Sequence, residues 1–385
     1  MKLTEKTQNQ EDIEYLQKQS EKTHFDLYRN ISKEEFTSSL KKATEVKSEF
    51  FELAIQESLA LLGDAHTYVY GTTDYELLPL RTKEIDGNFY IIGASREYED
   101  MLGQRIEKIN GYKLKDILEK VSRLSSKENK ELLLKENAAD IISNRVLRYY
   151  GFSNDSLVKI TTEKGTRDVD TKDDSAIRTL NPFDWRKEDT KDPTFIGNEI
   201  YRFRILGNTL LFQYNECTNE GKTKEELKEF KKQLLEKVKS VKSIVVDLRQ
   251  NGGGDTDIME DLFNKLPENK NIYVAIGRNT YSSAIHHLLY LKNKKGAILI
   301  GENAGQKPSR FGDSKEFVLP HSQLKVTCSF RYFELLPGKD IDVIEPDIKI
   351  PVKIDNYINN IDPLNEWIKE NMNSNPYEHN PHTSH

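Results

Sequence analysis

From residue 209 onward short apolar runs alternate with amphipathic stretches, and this rhythm restricts the fold more than any other feature of the chain. TLLFQYN, SIVVDLR, NIYVAIG and GAILIG read as strands, and KTKEELKEFKKQLLEKVKS, TDIMEDLFNKL and SSAIHHLLYLKN read as the helices between them. Strands and helices alternating at this spacing predict a parallel sheet covered by helices, an α/β fold. In such a sheet the loops leaving the strands' carboxyl ends gather on one edge, where ligands bind. Two of those loops carry unusual residues: Asn251 followed by Gly252, Gly253 and Gly254, and the adjacent pair Ser282 and Ser283.

The rest of the chain is patterned differently. Residues 10–62 read as helical: Ser32 with Glu35 forms a capping-box signature, Phe51, Ile55, Leu59 and Leu62 share one helical face, and Gly63 suits the stop. Residues 63–195 are mixed α+β, with an Asn-Gly turn in LGQRIEKINGYKLKDIL and a charged, patchy stretch before a boundary near 195. EFVLP and LKVTCSF read as a hairpin, and SNPYEHNPHTSH as a disordered tail. The predicted organisation is therefore a helical region over 1–62, an α+β cap over 63–195, a catalytic core over 196–372 and a tail over 373–385.

Composition removes several functions. The net charge of −6 comes without a basic stripe, which argues against nucleic acid. No run approaches the roughly 20 apolar residues of a membrane span, and the N-terminus lacks a signal-peptide run, so the expected compartment is the cytosol, or the exterior if a leader has been removed. Cys217 and Cys328 read as free buried thiols, and no CxxC or HxxxH pair suggests zinc.

The two loops suggest chemistry. Amides exposed by glycines at a helix start can bind phosphate or an oxyanion. The absence of a following Lys-Ser or Lys-Thr, and of GxGxxG, disfavours phosphate. A serine at a strand-to-helix junction sits near the positive end of the helix dipole. Ser282 suits the N-cap, which leaves Ser283 as the nucleophile candidate. A serine needs a base within about 3 Å. His24, His66, His286, His287, His321 and Lys307 are available; His286 and His287 suit surface or packing roles, whereas His66 lies in a turn and Lys307 in a glycine-bounded loop.

LLGDAHTYV, VVDLRQNGGG, NTYSSA, LIGENAG and VIEPDI, in that order, resemble the tail-specific, or carboxyl-terminal processing, serine protease family, nearer its tricorn-core-like branch than its lysine-dependent one. The resemblance implies a crotonase/Clp protease-like core, a PDZ-like module that captures substrate C-termini, and no cofactor or metal. By the same resemblance Ser283 is the nucleophile, His66 the base, and Asp340 the acid that orients it, where that branch has glutamate. Asp342 and Glu345 compete for the acid's role, and Lys307 is the alternative base. Gly252 or Gly253 and Ala284 supply the oxyanion hole. The expected activity is peptide-bond hydrolysis through an acyl-enzyme, acting on C-terminal regions or unfolded peptides; the partner is then a peptide or protein substrate. The competing readings are an inactive peptide- or ligand-binding protein on the same scaffold and a crotonase-type acyl transferase.

Overall fold

The computed structural model describes residues 5–72, 76–171, 199–339 and 341–372. Asp340, most of the charged stretch before residue 199 with the expected boundary, and the tail from 373 lie outside the described residues. The described residues fall into two compact units, one drawn from 1–189 and 307–342, the other from 190–306 and 343–385.

The second unit holds the predicted parallel sheet. Its six strands run in the order Ile348–Lys349, Ile298–Gly301, Asn271–Ile276, Ser243–Asp247, Thr209–Tyr214 and Tyr201–Leu206. All neighbours are parallel except Tyr201–Leu206, which closes the edge as an antiparallel hairpin partner of Thr209–Tyr214. Every residue of Ser243–Asp247 is buried, as expected of a central strand covered on both faces. One face packs Leu211, Val245, Ala275 and Ile300 against Leu364 and Ile368 of the helix Pro363–Met372. On the other, Phe212 and Tyr214 meet Phe263 of the helix Asp257–Lys265, and His287 of the helix Ser283–Lys295 packs edge-on to Phe263 at 5.0 Å.

The first unit has two cores. In one, the helices Glu5–Thr23, Lys33–Ala43 and Phe51–Ala60 bury Leu16, Phe36, Leu40, Ile55 and Leu59 with Leu319, Leu324 and Val326. Leu319 and Leu324 lie in the connection and Val326 in the second strand of a hairpin, Ser309–Val318 with Lys325–Glu334, whose second strand also pairs with Tyr68–Tyr70. The second core belongs to residues 76–171, a two-stranded and a four-stranded antiparallel sheet with the helices Leu114–Val121, Lys130–Asp140 and Asn144–Tyr149. Local signals hold: Ser32 and Glu35 form the capping box, and Asn110 and Gly111 adopt φ of 48° and 81°, the left-handed pair that a two-residue hairpin turn requires.

The division differs from the sequence expectation. The helical region and the cap belong to one unit, and the segment 307–342 joins them instead of continuing the 196–372 core. The cause is pairing between strands distant in sequence, Tyr68–Tyr70 with Lys325–Glu334, which no local pattern reveals.

Candidate active site

The strand Ser243–Asp247 delivers the glycine run, and one buried cation fixes its exit. Arg249 donates to both oxygens of Asp247 (2.9 and 2.8 Å) and of Asp362 (2.8 and 3.0 Å). Burial works against its charge, but the two carboxylates outweigh that and raise its pKa well above the ordinary value. Asn251, fully buried, then donates to the Tyr214 carbonyl at 2.9 Å and accepts from the Gly253 amide at 2.9 Å.

The glycines are demanded by what lies against them. A Cβ on Gly253, at φ 101°, would stand 2.5 Å from the Ser282 Cβ and 2.9 Å from the Ser283 nitrogen; one on Gly254, at φ 124°, would meet the Cys217 carbonyl at 2.3 Å. No side chain could be placed there without moving backbone. Gly252 faces open space. The answering segment is equally tied down: Thr280 donates its hydroxyl to the Leu248 carbonyl (2.8 Å), the Tyr281 amide donates to the Asn251 carbonyl (3.0 Å), and the Ser282 amide donates to Gln306 Oε1 (2.7 Å).

The two serines then part company. Ser282 adopts φ 52°, ψ −120°, a region that non-glycine residues rarely enter, and its side chain makes no capping bond. Ser283 is the first residue of the 13-residue helix, buried, with Oγ donating to the Gly254 carbonyl at 2.5 Å. The Ala284 amide, expected in the oxyanion hole, donates to the Tyr281 carbonyl at 3.1 Å, and Gly253's is taken by Asn251. The amides of Ser283 and Gly252 have no acceptor among the described residues. The sequence assigns Ser282 the cap and leaves the Ser283 hydroxyl unengaged; in the structure Ser282 stands at the N-cap without a side-chain cap bond, and it is the Ser283 hydroxyl that is engaged.

His66 belongs to the other unit. Its loop is organised by Asp64, fully buried, which accepts from the His66 amide (2.8 Å), His24 Nε2 (3.1 Å) and the Thr67 hydroxyl (2.5 Å). Burial opposes Asp64's charge, but hydrogen bonds led by that from His24 lower its pKa overall. Desolvation, assisted by the Arg310 charge and opposed by Asp64 and Asp313, lowers His66 to about 4, so its imidazole is neutral at physiological pH. Donor atoms of Asp64, His66 and Glu128 lie within 4.8 Å of one another. Asp64 is engaged in those bonds, and Glu128 Oε2 accepts from the Ala65 amide at 3.3 Å.

The remaining candidates disperse. Lys307 lines a cleft in the His66 unit. His287 is a packing residue, its pKa lowered to about 4 chiefly by burial, and His321 pairs with Glu11 at 2.6 Å. His24 is committed to Asp64. Asp342 is exposed, and Glu345, also exposed, pairs with Lys349 at 3.2 Å. Both cysteines are free and buried. No helix among the described residues is long and apolar enough to cross a membrane.

Residues 208–282, spanning the central strands, the glycine run and Ser282, match the sequence profile of Peptidase family S41. Two solved structures share the fold: mature CPAF, at 11% identity over 95% of this chain and 97% of that one (TM-score 0.64), and mature CPAF complexed with lactacystin, at 11% over 96% and 98% (TM-score 0.63). No curated protein matches. The glycine run and Ser282 thus lie inside a segment that is similar to Peptidase family S41, on a fold shared with the CPAF structures.

Proposed function

We propose that this protein is a serine endopeptidase working through an acyl-enzyme, with Ser282, not Ser283, as the nucleophile. The observation that carries the assignment is the contrast between the two: Ser282 occupies a strained strand-to-helix turn, the arrangement that presents a nucleophile, while the Ser283 hydroxyl is buried and engaged by Gly254. Ser282 Oγ attacks the scissile carbonyl as His66 removes its proton. The Ser283 amide and a glycine-run amide, Gly252 being the one without an acceptor, hold the oxyanion, each worth about 3 kcal/mol of barrier. The proton returns to the leaving amine, and water attacking through the same base releases the acid product. Asp64 fixes the backbone of the His66 loop, and Asp340 is the proposed orienting acid. A neutral imidazole supports His66 as the base over Lys307.

The parallel sheet, with its serine turn at a strand's carboxyl end, supports a crotonase/Clp-like core. Residues 76–171 serve as a PDZ-like module for C-terminal or unfolded segments, supported by their Asn-Gly hairpin and following helix. Labelling with a fluorophosphonate probe tests the assignment. The wild type and Ser283→Ala should label and Ser282→Ala should not; labelling that survives in Ser282→Ala and vanishes in Ser283→Ala would reverse it.

A further inference from the structure

The unit that carries His66 also contains a cleft of about 820 Å³, within the usual size of a ligand site. Its walls are the helices Lys33–Ala43 and Phe51–Ala60 and the turn at 123–128. Both of its carboxylates are already committed. Glu57 accepts from Tyr149 at 2.8 Å and pairs with Arg123 at 3.7 Å, and Glu128 accepts from the Ala65 amide. Its ammonium groups are not: Lys42 and Lys127, both exposed, and half-buried Lys307 make no ion pair among the described residues. Ser126, also on the wall, is 6% exposed, and its hydroxyl has no hydrogen-bond partner. A buried hydroxyl left unpaired is costly unless something arrives to satisfy it. Three unpaired cations and an unsatisfied hydroxyl on one concave surface together call for an anionic group with several acceptor oxygens.

We propose that this cleft binds a peptide segment bearing acidic side chains, so that the enzyme prefers substrates that carry Asp or Glu. A side-chain carboxylate takes the ammonium of Lys42, Lys127 or Lys307 and the Ser126 hydroxyl, while the apolar walls at Ala43, Ala54 and Val46 cover the peptide's carbon skeleton. Lys307 thereby has a substrate-holding role in place of the base role considered from the sequence. The proposal rests on the peptidase reading for its substrate class, but binding tests it without turnover.

The experiment uses full-length Ser282→Ala protein and two fluorescein-labelled octapeptides, acetylated and amidated at their ends, identical except that one carries two aspartates where the other carries asparagines. Fluorescence anisotropy should show the aspartate peptide binding about tenfold more tightly at low salt, the advantage shrinking as screening increases. Lys42→Gln/Lys127→Gln should reduce that advantage to about twofold or less, as should Ser126→Val to a smaller degree. Equal binding of the two peptides, or an advantage unchanged in the double variant, overturns the proposal. Failure of the peptidase reading is seen separately, as wild-type protein that neither labels with fluorophosphonate nor cleaves either peptide.

Discussion

Two adjacent residues of the same type, Ser282 and Ser283, behave differently because their backbones do. Gly253 comes so close to Ser282 that only a glycine fits, and Gln306 holds the Ser282 amide; between them they hold a non-glycine residue at φ 52°. Such strain costs about 1–3 kcal/mol and persists only where its surroundings over-determine it. His66 shows the same dependence on surroundings. As the proposed base it acts deprotonated, so activity is lost as pH falls through its pKa, and that value is lowered from 6.5 to about 4. kcat/KM for an uncharged peptide should therefore stay level through pH 6 and fall only toward pH 4. A limb centred at or above 6.5 would show that the imidazole is not desolvated in this way.

Among the elements, the strand Ser243–Asp247 matters most, and its register at the exit depends on Arg249. The guanidinium links the strand end to Asp362, next to the helix Pro363–Met372. Replacing it with methionine keeps the bulk but leaves two buried carboxylates without their cation, a change of about 3–5 kcal/mol. Arg249→Met should lower the urea midpoint accordingly and reduce fluorophosphonate labelling as the glycine run loosens. A midpoint equal to wild type would mean that the carboxylates find other partners. The NGGG signature was legible in the sequence, as was a strand leading into it. What the glycines face was not: the sequence suggested a substrate carbonyl, whereas Ser282, Ser283 and the Cys217 carbonyl fill the space beside Gly253 and Gly254.

At the scale of the whole molecule, each unit is assembled from segments distant in sequence. The hairpin after residue 307 completes the core of the N-terminal helices: Leu319 and Val326 are fully buried there with Leu16, Phe36 and Leu59. Leu319→Ala should destabilise that unit by about 2–5 kcal/mol. Hydrogen exchange should then quicken in Lys33–Ala43 and Phe51–Ala60; unchanged exchange there would show that the hairpin does not support these helices.

The sequence alone determined the α/β class, the parallel strands, the capping box at Ser32, the Asn110-Gly111 turn and the position of the glycine and serine loops, because each depends on periodicity or on the conformational preference of a few consecutive residues. Tertiary structure decided which serine is strained and which amides lack acceptors, where Lys307 stands, and that residues 307–342 join the N-terminal helices. Those outcomes are set by contacts between chain segments far apart in sequence, whose cost or benefit is not written in either segment by itself.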